Sequence, residues 1–100
     1  MAKTVLEFKE KKNYLVVDGE EYEIPQRTPA LEERIREHDA RIPEMTEYEA
    51  NYSLLQILLG DEAVKKIFPD KETTNLDKLA KCAMTTVQLF MSEFQKIRVG

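Results

Sequence analysis

Residues 46–68 read TEYEANYSLLQILLGDEAVKKIF and hold the densest apolar matter in the chain. Thr46 and Glu49 stand at capping-box spacing, in which a threonine oxygen and a carboxylate satisfy the first free amides of a helix. Behind that start, Tyr48, Tyr52, Leu55 and Leu59 advance along one stripe, with Leu54, Ile57 and Leu58 beside it. Gly60 stops the run, and Asp61 restarts it with Ala63, Val64, Ile67 and Phe68, so two helices meeting at an angle are predicted. The stretch carries no chemistry of its own; it is the centre on which the other segments must pack.

Upstream, Thr4 to Ile24 has β-branched and aromatic residues separated by turn signals, the pattern of strands. Asp18-Gly19 supplies the positive φ angles of a tight hairpin turn, which pairs Val17 with Glu20, Leu15 with Tyr22 and Asn13 with Ile24. Alternation then puts Leu15, Val17, Tyr22 and Ile24 on one face, and Tyr14, Val16, Glu21 and Glu23 on the other. Thr4 to Phe8 is expected to add a third strand across the charged turn Lys9 to Asn13, with Leu6 and Phe8 facing inward. After Pro25, Thr28 caps a helix that begins at Pro29 and runs to about Asp39. Its only apolar residues one turn apart are Leu31 and Ile35, so it should lie on the surface, braced by pairs such as Glu32 with Arg36. Arg41 to Met45 connects it to the centre.

Downstream, Pro69 to Asn75 is a loop by composition, and Thr74 with Asp77 repeats the capping-box spacing. Leu76, Ala80, Ala83, Val87, Phe90, Phe94 and Ile97 then advance by steps of four and three, which predicts one long helix to residue 98. Leu79, Met84 and Met91 widen its stripe and Leu89 falls outside it. The expected fold class is α+β: an N-terminal antiparallel β-hairpin or three-stranded sheet packed on a predominantly helical body of about four helices. One domain is expected over residues 1–100, β-rich at 4–24 and helical at 29–98, because 100 residues suffice for one core only.

Composition narrows the function. With 42% hydrophobic and 34% charged residues the chain is ordinary globular protein, and a net charge of −4 gives no general pull toward nucleic acid or an anionic membrane. The charge is uneven: residues 1–50 hold 8 Lys and Arg against 13 Asp and Glu, residues 51–100 hold 7 against 6. Cys82 is the sole cysteine, which excludes an internal disulfide and suggests a reducing compartment. No run of 18 apolar residues occurs and MAKTVLEFKE lacks a signal-peptide core, so a soluble cytoplasmic protein is expected.

Candidates for chemistry are few. His38 is the only histidine, has no second ligand at a known spacing, and is expected to be exposed and unemployed. Cys82 lies beside the apolar stripe, where a thiol behaves as a small core residue. Glu20 with Glu21 and Glu32 with Glu33 are neighbours that point apart, hence solvated carboxylates. Lys9, Lys11 and Lys12 form a charged loop among Glu7 and Glu10 without a nucleic-acid motif. Lys78, Lys81, Gln88, Glu93 and Lys96 interrupt any membrane span in the last helix. No phosphate loop is present. Catalytic residues, metal and cofactors are therefore expected to be absent. What remains is protein surface: Met84, Leu89, Phe90, Met91 and Phe94 suit an adaptable interface, used for a partner or a homo-oligomer, unless the internal core takes all of them.

Three segments carry a resemblance: YLVVDGEEYEIP at 14–25, TEYEANYSLLQILLGDEAVKKIFPD at 46–70, and the Leu-Asp-Lys-Leu start of the last helix at 76–79. The combination resembles small proteins encoded in the tail modules of siphophages and prophages of Gram-positive bacteria, among them the tail assembly chaperones. The resemblance implies a non-enzymatic, mainly helical protein of the bacterial host cytoplasm that coats the tape measure protein until tail tube protein assembles around it. It implies no catalytic residues. The alternative within phage morphogenesis is a structural tail or head-completion component that self-assembles into a ring.

Overall fold

In the computed structural model, residues 12–91 are described, together with the backbone of residues 96–99. Strands β1 (Asn13–Val17) and β2 (Glu20–Ile24) form the hairpin with the predicted register, Val17 opposite Glu20, Leu15 opposite Tyr22 and Asn13 opposite Ile24. Asp18 at φ 50° and Gly19 at φ 83° make the turn, the backbone region that Asp-Gly reaches at low cost. Leu15, Val17 and Ile24 face the core, and Tyr22 packs at its edge. Val16, on the far face, is also buried but stands outside that core.

Helix α1 (Pro29–Arg41) starts as expected, with Thr28 Oγ1 accepting from the Leu31 amide at 3.1 Å. Glu32 pairs with Arg27, whose Nε lies 2.8 Å from Glu32 Oε1, and Arg36 turns to Glu33, so the expected Glu32–Arg36 brace does not form. A 3-10 turn, Ile42–Glu44, leads to α2 (Glu47–Leu59). Both arms of its capping box close at 3.1 Å: Thr46 Oγ1 accepts from the Glu49 amide and Glu49 Oε1 from the Thr46 amide. Gly60, at φ 90° and ψ 155°, turns the chain into α3 (Asp61–Ile67), a backbone conformation open essentially to glycine alone. A second 3-10 turn, Lys71–Thr73, precedes α4 (Leu76–Met91). The cap of α4 is Asn75, whose Oδ1 accepts from the amides of Asp77 and Lys78; Thr74 instead donates its hydroxyl to Asp70 O at 2.7 Å.

The predicted α+β class is borne out, and the last segment corrects its boundaries. The helix expected to run to residue 98 closes at Met91, and Lys96–Val99 is a strand, β3, parallel to β1 with Leu15 opposite Ile97. Ile97 suited the helical period, but as part of a strand it pairs with the second edge of backbone donors and acceptors on β1, which a helix cannot do. Sheet order is β2-β1-β3, so β1 is central. The strand expected at Thr4 to Phe8 lies outside the described residues.

The face of α4 that meets the core also differs from the predicted stripe. Leu79, Cys82, Ala83, Thr86, Leu89 and Phe90 are buried, whereas Leu76 is exposed and Ala80 and Val87 are half-buried. The helix is rotated by about a quarter turn from the apolar stripe. Thr86 explains how: its hydroxyl donates to Cys82 O at 2.6 Å within the helix, which lets a nominally polar residue enter the core without an unsatisfied group. On this face α4 meets Leu15, Val17 and Ile24 of the hairpin, Leu55 and Leu58 of α2, and Val64 and Phe68. Asn13 Nδ2 donates to Leu89 O at 2.6 Å, tying the start of β1 to the helix.

Candidate protein-binding surface

Ile35, the second apolar residue of α1, is half-buried and packs at the edge of the core. Between it and the carboxyl-terminal half of α4 lies an open groove of about 230 Å³ lined by Glu32, Ile35, Arg36, Val87, Phe90 and Met91. Its floor is apolar, with one carboxylate and one guanidinium from α1 on its rim. Phe90 and Met91 were among the residues expected to form an interface; Ile35 and Val87 were not. The legible signal for Ile35 was its place one turn after Leu31 on an otherwise charged helix.

The expected interface residues separate into three groups. Met84 and Met91 are exposed, at 65% and 56% of their full surface. Phe90 is buried and reaches solvent only as groove lining. Leu89 is fully buried on the face toward the hairpin, so, contrary to the expectation that it suits an interface, it belongs to the internal core. Phe94 lies outside the described residues.

A second concavity, of about 160 Å³, lies at the turn into α4 and includes Phe68, Asp70, Thr74, Asn75 and Lys78. Its polar groups are engaged within the fold: Asp70 Oδ1 accepts from the Glu72 amide at 3.0 Å, and Lys78 Nζ donates to Asp18 Oδ2 at 2.7 Å while lying 5.9 Å from the Phe68 ring centre.

The candidate nucleophile and base are far from this surface in character. Burial pushes the Cys82 thiol up from its ordinary pKa, so it is protonated and unreactive at neutral pH. His38 is buried, contrary to expectation. Its Nε2 lies 3.1 Å from Ala50 O and 2.8 Å from Ser53 Oγ, and since a carbonyl only accepts, this nitrogen carries the proton. Ser53 in turn donates to Glu49 O at 2.5 Å. Nδ1 makes no hydrogen bond and lies 3.5 Å from Asp39 Oδ1. The imidazole thus fastens α1 to α2.

Exposed ion pairs join the elements. Lys66 Nζ lies 2.5 Å from Glu20 Oε2, and this bond holds the Glu20 carboxyl below the usual range. A bond from Lys65, then one from Gln56, lowers Asp61 in the same way. Among the described residues no group of three or more His, Cys, Asp and Glu is placed to hold a metal, and no helix is long and apolar enough to cross a membrane. Comparison with protein-family models, curated proteins and solved structures finds no match.

Proposed function

We propose that this chain is a non-enzymatic protein-binding factor in phage tail assembly, which keeps a tape measure protein soluble by holding its helical segments against apolar helix surface. The observation that supports this reading is the groove between α1 and α4. An apolar floor of Ile35, Val87 and Phe90, with flexible Met91 at its mouth, suits the apolar side chains of an amphipathic helix. The resemblance of residues 14–25, 46–70 and 76–79 to the tail assembly chaperones supplies the class of partner. Coexpression with the tape measure protein of the same tail module tests it. The partner is expected to copurify and gain solubility, and Met91→Glu to abolish both while the variant remains folded. A partner that neither copurifies nor gains solubility removes the reading.

Leu76 and Met84, exposed on α4 outside the groove, favour a second reading, a tail or head-completion component that forms a ring. Electron microscopy and light scattering of the protein alone separate the two, because stable rings of fixed number without a client belong only to the second.

A further inference from the structure

Helix α1 is tied to the rest of the molecule differently from its neighbours. α3 is joined to β2 through Lys66 and Glu20, and α4 to the hairpin through Lys78 with Asp18 and through Leu89 O with Asn13. The ion pairs of α1 are local instead: Glu32 with Arg27 of the preceding loop, Glu33 with Arg36, and Asp39 beside His38. Among the described residues, the one polar tie from α1 to another helix or strand is His38 Nε2, at 3.1 Å from Ala50 O and 2.8 Å from Ser53 Oγ of α2.

Its apolar anchorage is as thin. His38 is the only buried residue of α1, and Leu31 and Ile35 reach the core half-buried, at its edge. The flank toward α4 does not close: the groove of about 230 Å³ lies there, with Ile35 and Arg36 on one wall and Val87, Phe90 and Met91 on the other. The fastener is itself imperfect. His38 Nδ1 is buried without a hydrogen bond, and its lost solvation offsets part of what Nε2 contributes. Both ends of α1 meet irregular backbone, residues 25–28 on one side and the 3-10 turn Ile42–Glu44 on the other, where a rotation can be absorbed.

We propose that α1 is a strap, fastened to α2 by His38, that swings on these two joints while the hairpin and helices α2 to α4 stay folded, and that its swing widens the groove along α4. The free energy of opening an element follows the contacts that must be broken, which puts α1 at the low end of the molecule. Leaving costs it a half-buried leucine, a half-buried isoleucine and one shared hydrogen bond. The α4 wall keeps its place, held on its other side by Leu79, Cys82, Ala83, Thr86 and Leu89. That the wider groove admits a client helix rests on the proposed function; the strap itself is measured without a client, so its failure and that of the chaperone reading are distinguishable.

Native-state hydrogen exchange tests the strap. In the unmodified protein the amides of α1 are expected to exchange about a hundred-fold faster than those of α4 from Leu79 to Leu89. Leu79→Ala, which lowers global stability, is expected to speed α4 by ~30-fold or more and to leave α1 unchanged, because α1 opens without the core. His38→Ala is expected to speed α1 alone, about ten-fold, and His38→Gln, whose amide can donate to Ala50 O, to recover most of that loss. Labelling by iodoacetamide reads the groove, with Cys82 silent because it is fully buried. Val87→Cys is expected to react about ten-fold faster when combined with His38→Ala, and Met84→Cys, exposed outside the groove, at the same rate with or without it. Exchange of α1 and α4 at one rate, or an α1 that speeds up with Leu79→Ala, overturns the strap, and this comparison stands even where His38→Ala fails to fold. Labelling of Val87→Cys that ignores His38→Ala overturns the widening.

Discussion

Helix α4 has two apolar sides with opposite employment. One, through Leu79, Cys82, Thr86 and Leu89, is closed off completely by the hairpin and the central helices; the other, through Leu76, Met84 and Met91, is left to solvent. The side that builds the fold contains a threonine and a cysteine, and the side that faces out contains two methionines. Hydrophobicity alone therefore does not decide which side is core. The hydrogen bonding of Thr86 and the shape of the neighbouring elements do.

Substitutions on the two sides should separate stability from association. Leu79→Ala is expected to have the largest effect, a loss of about 2–5 kcal/mol in urea unfolding, because a fully buried leucine leaves a cavity that its neighbours fill only partly. A loss below about 1 kcal/mol would mean that the inner side is looser than described. Asn13→Ala comes next. It removes the buried bond to Leu89 O, so a loss of about 1 kcal/mol is expected, with faster hydrogen exchange at the β1 end of the sheet. Met84→Lys on the outer side should change unfolding by no more than about 0.5 kcal/mol, and a large loss would erase the distinction between the sides.

Acid should act least selectively. Bonding to the Thr46 backbone, then to its side chain, lowers the folded pKa of Glu49 from an ordinary 4.5, and Lys66 does the same for Glu20. A lowered folded pKa gives stability that is present above the unfolded value and is lost as pH falls through the folded one. Thermal melts from pH 6 to about pH 3 should thus show a modest fall in Tm beginning near 4.5, equal in the parent and in Met84→Lys.

Local signals in the sequence were decisive where one short segment contains both partners of an interaction. Asp18-Gly19 fixes the hairpin register, and Thr46 with Glu49 fixes the start of α2, because each involves atoms within a few residues. The misreadings that move an element or a buried residue involve a partner farther along the chain, whereas the Thr74–Asp77 cap and the Glu32–Arg36 pair lost to competitors only a few residues away. Ile97 fits a helical period until β1, some 80 residues earlier, offers a strand edge. His38 reads as exposed until the Ala50 carbonyl and Ser53 hydroxyl of α2 approach it. Leu89 reads as an outer residue until Asn13 and the hairpin occupy that side. The groove was legible only in part, since Phe90 and Met91 announce themselves while the contribution of Ile35 depends on how α1 is laid down.

The parallel pairing of β3 with β1 has a consequence for the order of events during synthesis. The hairpin and helices α1 to α4 all precede in the chain the strand that closes the second edge of β1. Until Lys96–Val99 is made, β1 is paired on its β2 side only, and β3 acts as the latch that removes the other edge from reach of other chains.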